Sequence, residues 1–151
     1  MIGLKVFIAS DHGGLQLKQE IYAFLKDQNI SVIDLGPGDT SAVDYPDYAV
    51  MVCQKVLEEQ NSLGILVCGT GIGMSISANK TKGIRAALCS EPVSAKLARE
   101  HNQANVLCIG ARMIGPIMAQ EIVNSFLNAQ FEGGRHISRV QKIQKIEENN
   151  L

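Results

Sequence analysis

The chain has 151 residues, 46% of them hydrophobic and 19% charged, enough apolar surface for one core-bearing domain over residues 1–151 and too much for a disordered chain. Its 14 basic and 15 acidic side chains leave a formal net charge of −1, so charge gives no footing for nucleic acid or an anionic membrane. No apolar run reaches a membrane span and no signal-peptide pattern precedes the first strand, while the four cysteines lack the spacing of a zinc or thioredoxin motif. Reduced thiols in the cytoplasm are expected. The low charged fraction points to surface hidden in an oligomer.

Lys5-Val6-Phe7-Ile8-Ala9 reads as a buried strand, broken by Ser10-Asp11-His12-Gly13-Gly14. A helix follows from Leu15 to Gln28, with Leu17, Ile21, Phe24 and Leu25 at helical spacing. Ser31 to Leu35 is a second strand, Gly36 to Thr40 a turn-rich loop, and Pro46 opens a helix carrying Tyr48, Val52, Val56 and Leu57. Ile65 to Val67 is a third strand, followed by a glycine loop and a helix over Met74 to Lys80. Ile84 to Cys89 is a fourth strand, and Glu91-Pro92 starts a helix running to about His101. Val106 to Ile109 is the fifth, Ile114 to Leu127 a helix, and a Gly133-Gly134 break precedes a polar helix from about Arg135 to Glu148.

Alternating strands and helices imply a parallel sheet with helices on both faces, joined by right-handed crossovers. Ligands of such sheets bind beyond the carboxyl ends of the strands. The residues there are Ser10 to Gly13, Cys68-Gly69-Thr70, Cys89-Ser90-Glu91 and Ala111-Arg112. An acid, a histidine, a thiol, a hydroxyl and an arginine thus gather on one edge.

The centre of the pattern is Cys68-Gly69-Thr70-Gly71-Ile72-Gly73. A tight loop entering a helix leaves backbone N–H groups that favour an anion, and a thiol in the same field is favoured as the thiolate nucleophile or base. Cys53 and Cys108 read as inert buried cysteines, and Cys89 has no glycine loop after it. The loop has a rival reading as a dinucleotide fingerprint, with Glu91 as the ribose acid. Met74 stands where its third glycine belongs, and that ranks a nucleotide-binding module second. The glycines could equally serve a tight turn, and Asp11 could be only a helix cap.

A helix after a parallel strand returns to the amino edge. His101 and Asn102 therefore lie far from Cys68 of their own chain, and so do Arg135, His136 and Arg139. If these residues are functional, they act on a partner subunit's site. Arg135 and Arg139 share one helical face, as a phosphate clamp would, and a basic pair near a helix start opposes the dipole.

The stretches Asp11-His12-Gly13-Gly14, Asp44-Tyr45-Pro46, Cys68 to Gly73, Gly83 to Ala86, Ser90-Glu91-Pro92, His101-Asn102, Asn105 to Leu107, Gly110-Ala111-Arg112 and Glu132 to His136 resemble the type B ribose-5-phosphate isomerases. These sit in a wider group with allose- and galactose-6-phosphate isomerases. The resemblance implies an α/β three-layer αβα sandwich, Rossmann-like with a central five-stranded parallel sheet. It implies a homodimer or dimer of dimers with shared sites, and neither metal nor cofactor. It implies aldose–ketose isomerisation of ribose 5-phosphate and ribulose 5-phosphate through an enediolate, in the non-oxidative pentose phosphate pathway. Cys68 matches the proton-abstracting thiol; one branch replaces that thiol and carries a glutamate where Ile72 stands here. Thr70 and the amides of Gly69, Gly71, Ile72 and Gly73 match the oxyanion holder. His101 matches the ring-opening residue, and Asp11 one that handles hydroxyl protons. His12, Arg112, Arg135 and Arg139 match phosphate ligands, and Tyr45 and Asn102 line the sugar site. An allose- or galactose-6-phosphate isomerase is the near alternative.

Overall fold

The computed structural model describes residues 3–149. Five parallel strands, β1 (Lys5–Ser10), β2 (Ser31–Asp34), β3 (Ser62–Cys68), β4 (Ala86–Leu88) and β5 (Val106–Gly110), lie in the order β2-β1-β3-β5-β4. Ile8 pairs with Ile65 and Val67 with Ile109, which brings the ends of β1, β3 and β5 to one edge. β3 and β5 are almost wholly buried, as near-continuous apolar runs in a doubly covered parallel sheet should be.

Alternation along each strand divides the core. Val6, Ile8, Ile65, Val67, Leu107 and Ile109 face α1 (Leu15–Asp27), α4 (Pro92–Asn102) and α5 (Pro116–Asn128). Phe7, Ala9, Leu66, Cys68, Val106 and Cys108 face α2 (Tyr45–Glu58) and α3 (Ile72–Ala78). Cys68 therefore lies on the α2/α3 side. A final helix, α6 (His136–Glu148), packs against α4. The expected αβα sandwich with five parallel strands is the observed architecture.

The differences from expectation are local. β4 covers three residues rather than six. Ile84 N–H is taken by Thr81 O, and Arg85 N–H by Asn105 Oδ1. Asn79 then bonds both backbone groups of Ala86, at 2.8 and 3.0 Å. Its amide thus stands in for a neighbouring strand on an open edge. α5 starts at Pro116, not Ile114, because the amides of Met113 and Ile114 turn back to Gly110 O. α3 starts at Ile72, two residues before Met74.

The end of α4 is fastened by arginines. Arg85 Nε donates to Asn102 O at 2.9 Å and Nη2 to Gln103 O at 3.0 Å; Arg99 Nη1 donates to Ala104 O at 2.7 Å. These bonds satisfy carbonyls that a helix end leaves without partners, and they fix His101 and Asn102 just before them.

Lys18 is fully buried on α1, where Nζ donates to Asp34 Oδ1 at 2.9 Å and to Pro37 O at 2.6 Å. It ties the loop after β2 to the first crossover helix. Lys18→Met is expected to cost about 1–3 kcal/mol in urea unfolding, reduced by the partial exposure of Asp34. An unchanged midpoint would remove the tie.

Candidate active site

β1 and β3 are neighbours, and the chain leaves them toward opposite sides of the sheet, to β2 and to β4. Such a switch point opens a crevice at the carboxyl ends. It holds a cavity of about 430 Å³ lined by residues from both turns, Asp11 to Gly13 and Cys68 to Thr70, together with Tyr45, Ile72, Gly73, Ile76 and Arg112. A larger hollow of about 580 Å³ lies at the opposite edge. It holds no thiol, its Ser62 hydroxyl donates to the Val56 and Glu59 carbonyls, and its arginines serve the carbonyls at the end of α4.

Cys68 ends β3 with its side chain at the cavity wall, 5% exposed. Its Sγ accepts the Gly71 N–H at 3.1 Å. Gly71 has φ +78°, and a Cβ there would lie 2.5 Å from Leu88 Cδ1 and 3.0 Å from the Ile109 carbonyl carbon. Only glycine lets the loop fold over the sulfur. Gly110 is its counterpart on β5, where a Cβ would meet the Thr70 backbone at 2.6 Å. Two of the amides expected to face an anion have partners inside the loop: Gly71 N–H goes to Cys68 Sγ and Ile72 N–H to Thr70 Oγ1 at 3.2 Å. The first of these sharpens the picture, since an amide aimed at sulfur supports a developing thiolate.

Burial pushes Cys53 and Cys89 up to about 11, and Cys108 well above its usual value. All four are free thiols, and these three are held neutral near pH 7.

Asp11 does cap, accepting Gly14 N–H at 2.9 Å, and it also lines the cavity. His12 Nδ1 accepts the Val43 N–H at 3.2 Å. Tyr45, at the start of α2, lies over Gly73, where a Cβ would sit 2.5 Å from its ring. Arg112 N–H donates to Gly69 O at 2.9 Å, and its guanidinium runs along Gly69. Glu91 caps α4, accepting from Val93 and Ser94 at 2.7 and 2.9 Å. That role replaces the ribose-binding acid of the nucleotide reading.

His101, Asn102, Arg135 and Arg139 are absent from the cavity wall. Asn102 is bonded to Arg85, which precedes β4, so this group sits at the amino edge. There the rings of His101 and His136 stack with centroids 4.3 Å apart and planes 12° from parallel. Glu132 Oε1 lies 3.9 Å from His101 Nε2, and Oε2 lies 3.7 Å from His136 Nε2. His136 is 6% exposed. Burial lowers its pKa, His101, Arg135 and Arg139 push the same way, and Glu132 opposes them. Glu132 was not singled out by sequence reasoning; the available signal was its placement four residues before His136, beside a residue already marked.

Residues 6–143 match the Ribose/Galactose Isomerase family. The chain is 49% identical over 144 residues to ribose-5-phosphate isomerase B of Escherichia coli, covering 95% of this chain and 97% of that one. Among solved structures, ribose-5-phosphate isomerase B of Clostridium thermocellum superposes with a TM-score of 0.94 at 48% identity, over 97% of this chain and 99% of that one. The Mycoplasma genitalium enzyme, solved with bound ribulose-5-phosphate, gives 0.92 at 47% identity, over 97% of each chain. With its sheet order, its cysteine loop and near-complete coverage by these relatives, the chain belongs to the ribose/galactose isomerase family.

Proposed function

We propose that the protein interconverts ribose 5-phosphate and ribulose 5-phosphate through an enediolate. The observation that carries this reading is the Cys68 thiol, seated on the Gly71 amide in a cavity that also holds Asp11, His12 and Arg112. Isomerisation needs one base to move a proton between adjacent carbons, and donors for the oxygen that becomes charged. Cys68 is placed to take the C2 proton of the open-chain aldose and return it at C1. Thr70 and the amides of Gly69 and Gly73 serve the enediolate oxygen, those of Gly71 and Ile72 being engaged within the loop.

The furanose must open first. The C1–O4 bond breaks with its electrons passing to O4, which takes a proton from His101. The O1 proton passes to Asp11 as the carbonyl forms. His12, Arg112, Arg135 and Arg139 hold the phosphate, while Tyr45 and Asn102 line the sugar.

These roles need two chains, since His101, Asn102, Arg135 and Arg139 sit at the far edge of their own sheet. Exposed apolar side chains beside the Cys68 cavity support a partner there: Ile72, Ile76, Leu88 and Met113 are each 42–66% exposed. We read the protein as a homodimer or dimer of dimers, one isomerase domain per chain, acting in the cytoplasm. Four free cysteines suit a reducing compartment. Among the described residues no helix is long and apolar enough to cross a membrane.

A panel of aldose phosphates tests the assignment. Ribose 5-phosphate should exceed allose 6-phosphate and galactose 6-phosphate by at least about tenfold in kcat/KM, since a substrate that fills the site differently loses transition-state binding. A hexose phosphate turned over faster would transfer the chain to the neighbouring specificity.

A further inference from the structure

The His101, Glu132 and His136 cluster holds two groups that the proposed reaction does not use. It has the donor set of a metal site, but its geometry is wrong for one. A metal binds about 2.0–2.1 Å from an imidazole nitrogen, along an in-plane lone pair. Two stacked rings 12° from parallel have planes that do not meet within that distance.

The same geometry suits the control of one ring by its neighbours. His136 is buried, and its face is laid against His101 at 4.3 Å between centroids. Glu132 is fastened to α4 through its own N–H, which donates to Glu100 O at 3.0 Å. Its carboxylate spans the Nε2 atoms of both rings. Arg135 and Arg139 on α6 and its lead-in are the other charges acting on His136. Two stacked imidazolium rings would repel strongly, so one ring must stay neutral. Burial lowers the pKa of His136, so the buried ring is the one held neutral.

We propose that Glu132 and His136 are positioning residues for His101: the stacked ring fixes the plane of its imidazole, and the carboxylate, 3.9 Å from its Nε2, fixes the edge it presents as the ring-opening acid. This rests on the isomerase reading and adds to it, because it makes ring opening separable from proton transfer at carbon. The separation can be measured. A 2-ketopentose phosphorylated at O5 has no free hydroxyl that closes a five-membered ring onto C2. Ribulose 5-phosphate therefore meets Cys68 already open.

The experiment compares two rates in wild type, Glu132→Gln, Glu132→Asp and His136→Leu, each checked for an unchanged oligomer and thermal midpoint. One is kcat/KM for ribose 5-phosphate. The other is exchange of the C1 proton of ribulose 5-phosphate for deuterium in D2O, followed by NMR. Glu132→Gln and His136→Leu should lower the first about tenfold or more and leave the second within about twofold of wild type. Glu132→Asp should recover part of the loss. Equal losses in both rates, or no loss in either, would overturn the positioning role. Wild-type protein that neither isomerises nor exchanges would instead fail the isomerase reading.

Discussion

Cys68→Ala should abolish isomerisation of ribose 5-phosphate, by at least about 10³-fold in kcat, while the thermal midpoint moves little. The size follows from the role: removing the base leaves binding and oxyanion contacts intact but no group to carry hydrogen between carbons. The small structural cost follows from the site. Cys68 makes one bond through sulfur, from the Gly71 N–H, at the end of a strand whose neighbours are otherwise paired. Cys68→Ser separates two explanations of the loss. The hydroxyl keeps an acceptor for Gly71 but is a far weaker acid than a thiol, so activity should stay low with the loop in place. A Cys68→Ala variant with normal turnover would move the base elsewhere in the cavity, with Asp11, the carboxylate on its wall, the next candidate.

Much of the site was legible because backbone chemistry dictated it. A fully covered parallel strand needs an apolar run, and Ile65 to Val67 supplied one. A loop that crosses over the neighbouring strand end needs glycine at a positive φ, and Gly71 supplied that. Period-two alternation then placed Cys68 on a definite face. The direction of a returning helix alone predicted that His101 stands at the other edge from Cys68, as it does. Less legible were the places where side chains replace backbone. Asn79 takes over the edge of Ala86, and this shortens β4. Lys18 is a charged residue inside a core, and nothing in its local pattern marks it apart from surface lysines; its partners are 16 and 19 residues away. The pairing of Glu132 and His136 with His101 shows only when α4 is laid beside them. The glycine spacing predicts loop amides free for an anion, but two are engaged within the loop. Glycine spacing shows where N–H groups can point, not what they meet.

The other large effect concerns the division of labour between chains. Cys68 lies at the carboxyl end of β3, while His101, Glu132, Arg135 and Arg139 belong to segments at the amino edge. On the proposed reading, one chain supplies Cys68 with His12 and Arg112, and another supplies His101 with Arg135 and Arg139. In a two-fold dimer each site takes one half from each subunit. Cys68→Ala and His101→Ala homodimers should then each be crippled, in both sites.

Mixing the two variants under conditions that let subunits exchange tests this most directly. Random reassortment of equal amounts makes about half the dimers hybrid, each with one intact site of two, so about a quarter of wild-type activity should return. Return of activity at that level, tracking the hybrid fraction measured by native mass spectrometry, is the predicted result. No recovery once hybrids have formed would contradict a site built from two chains.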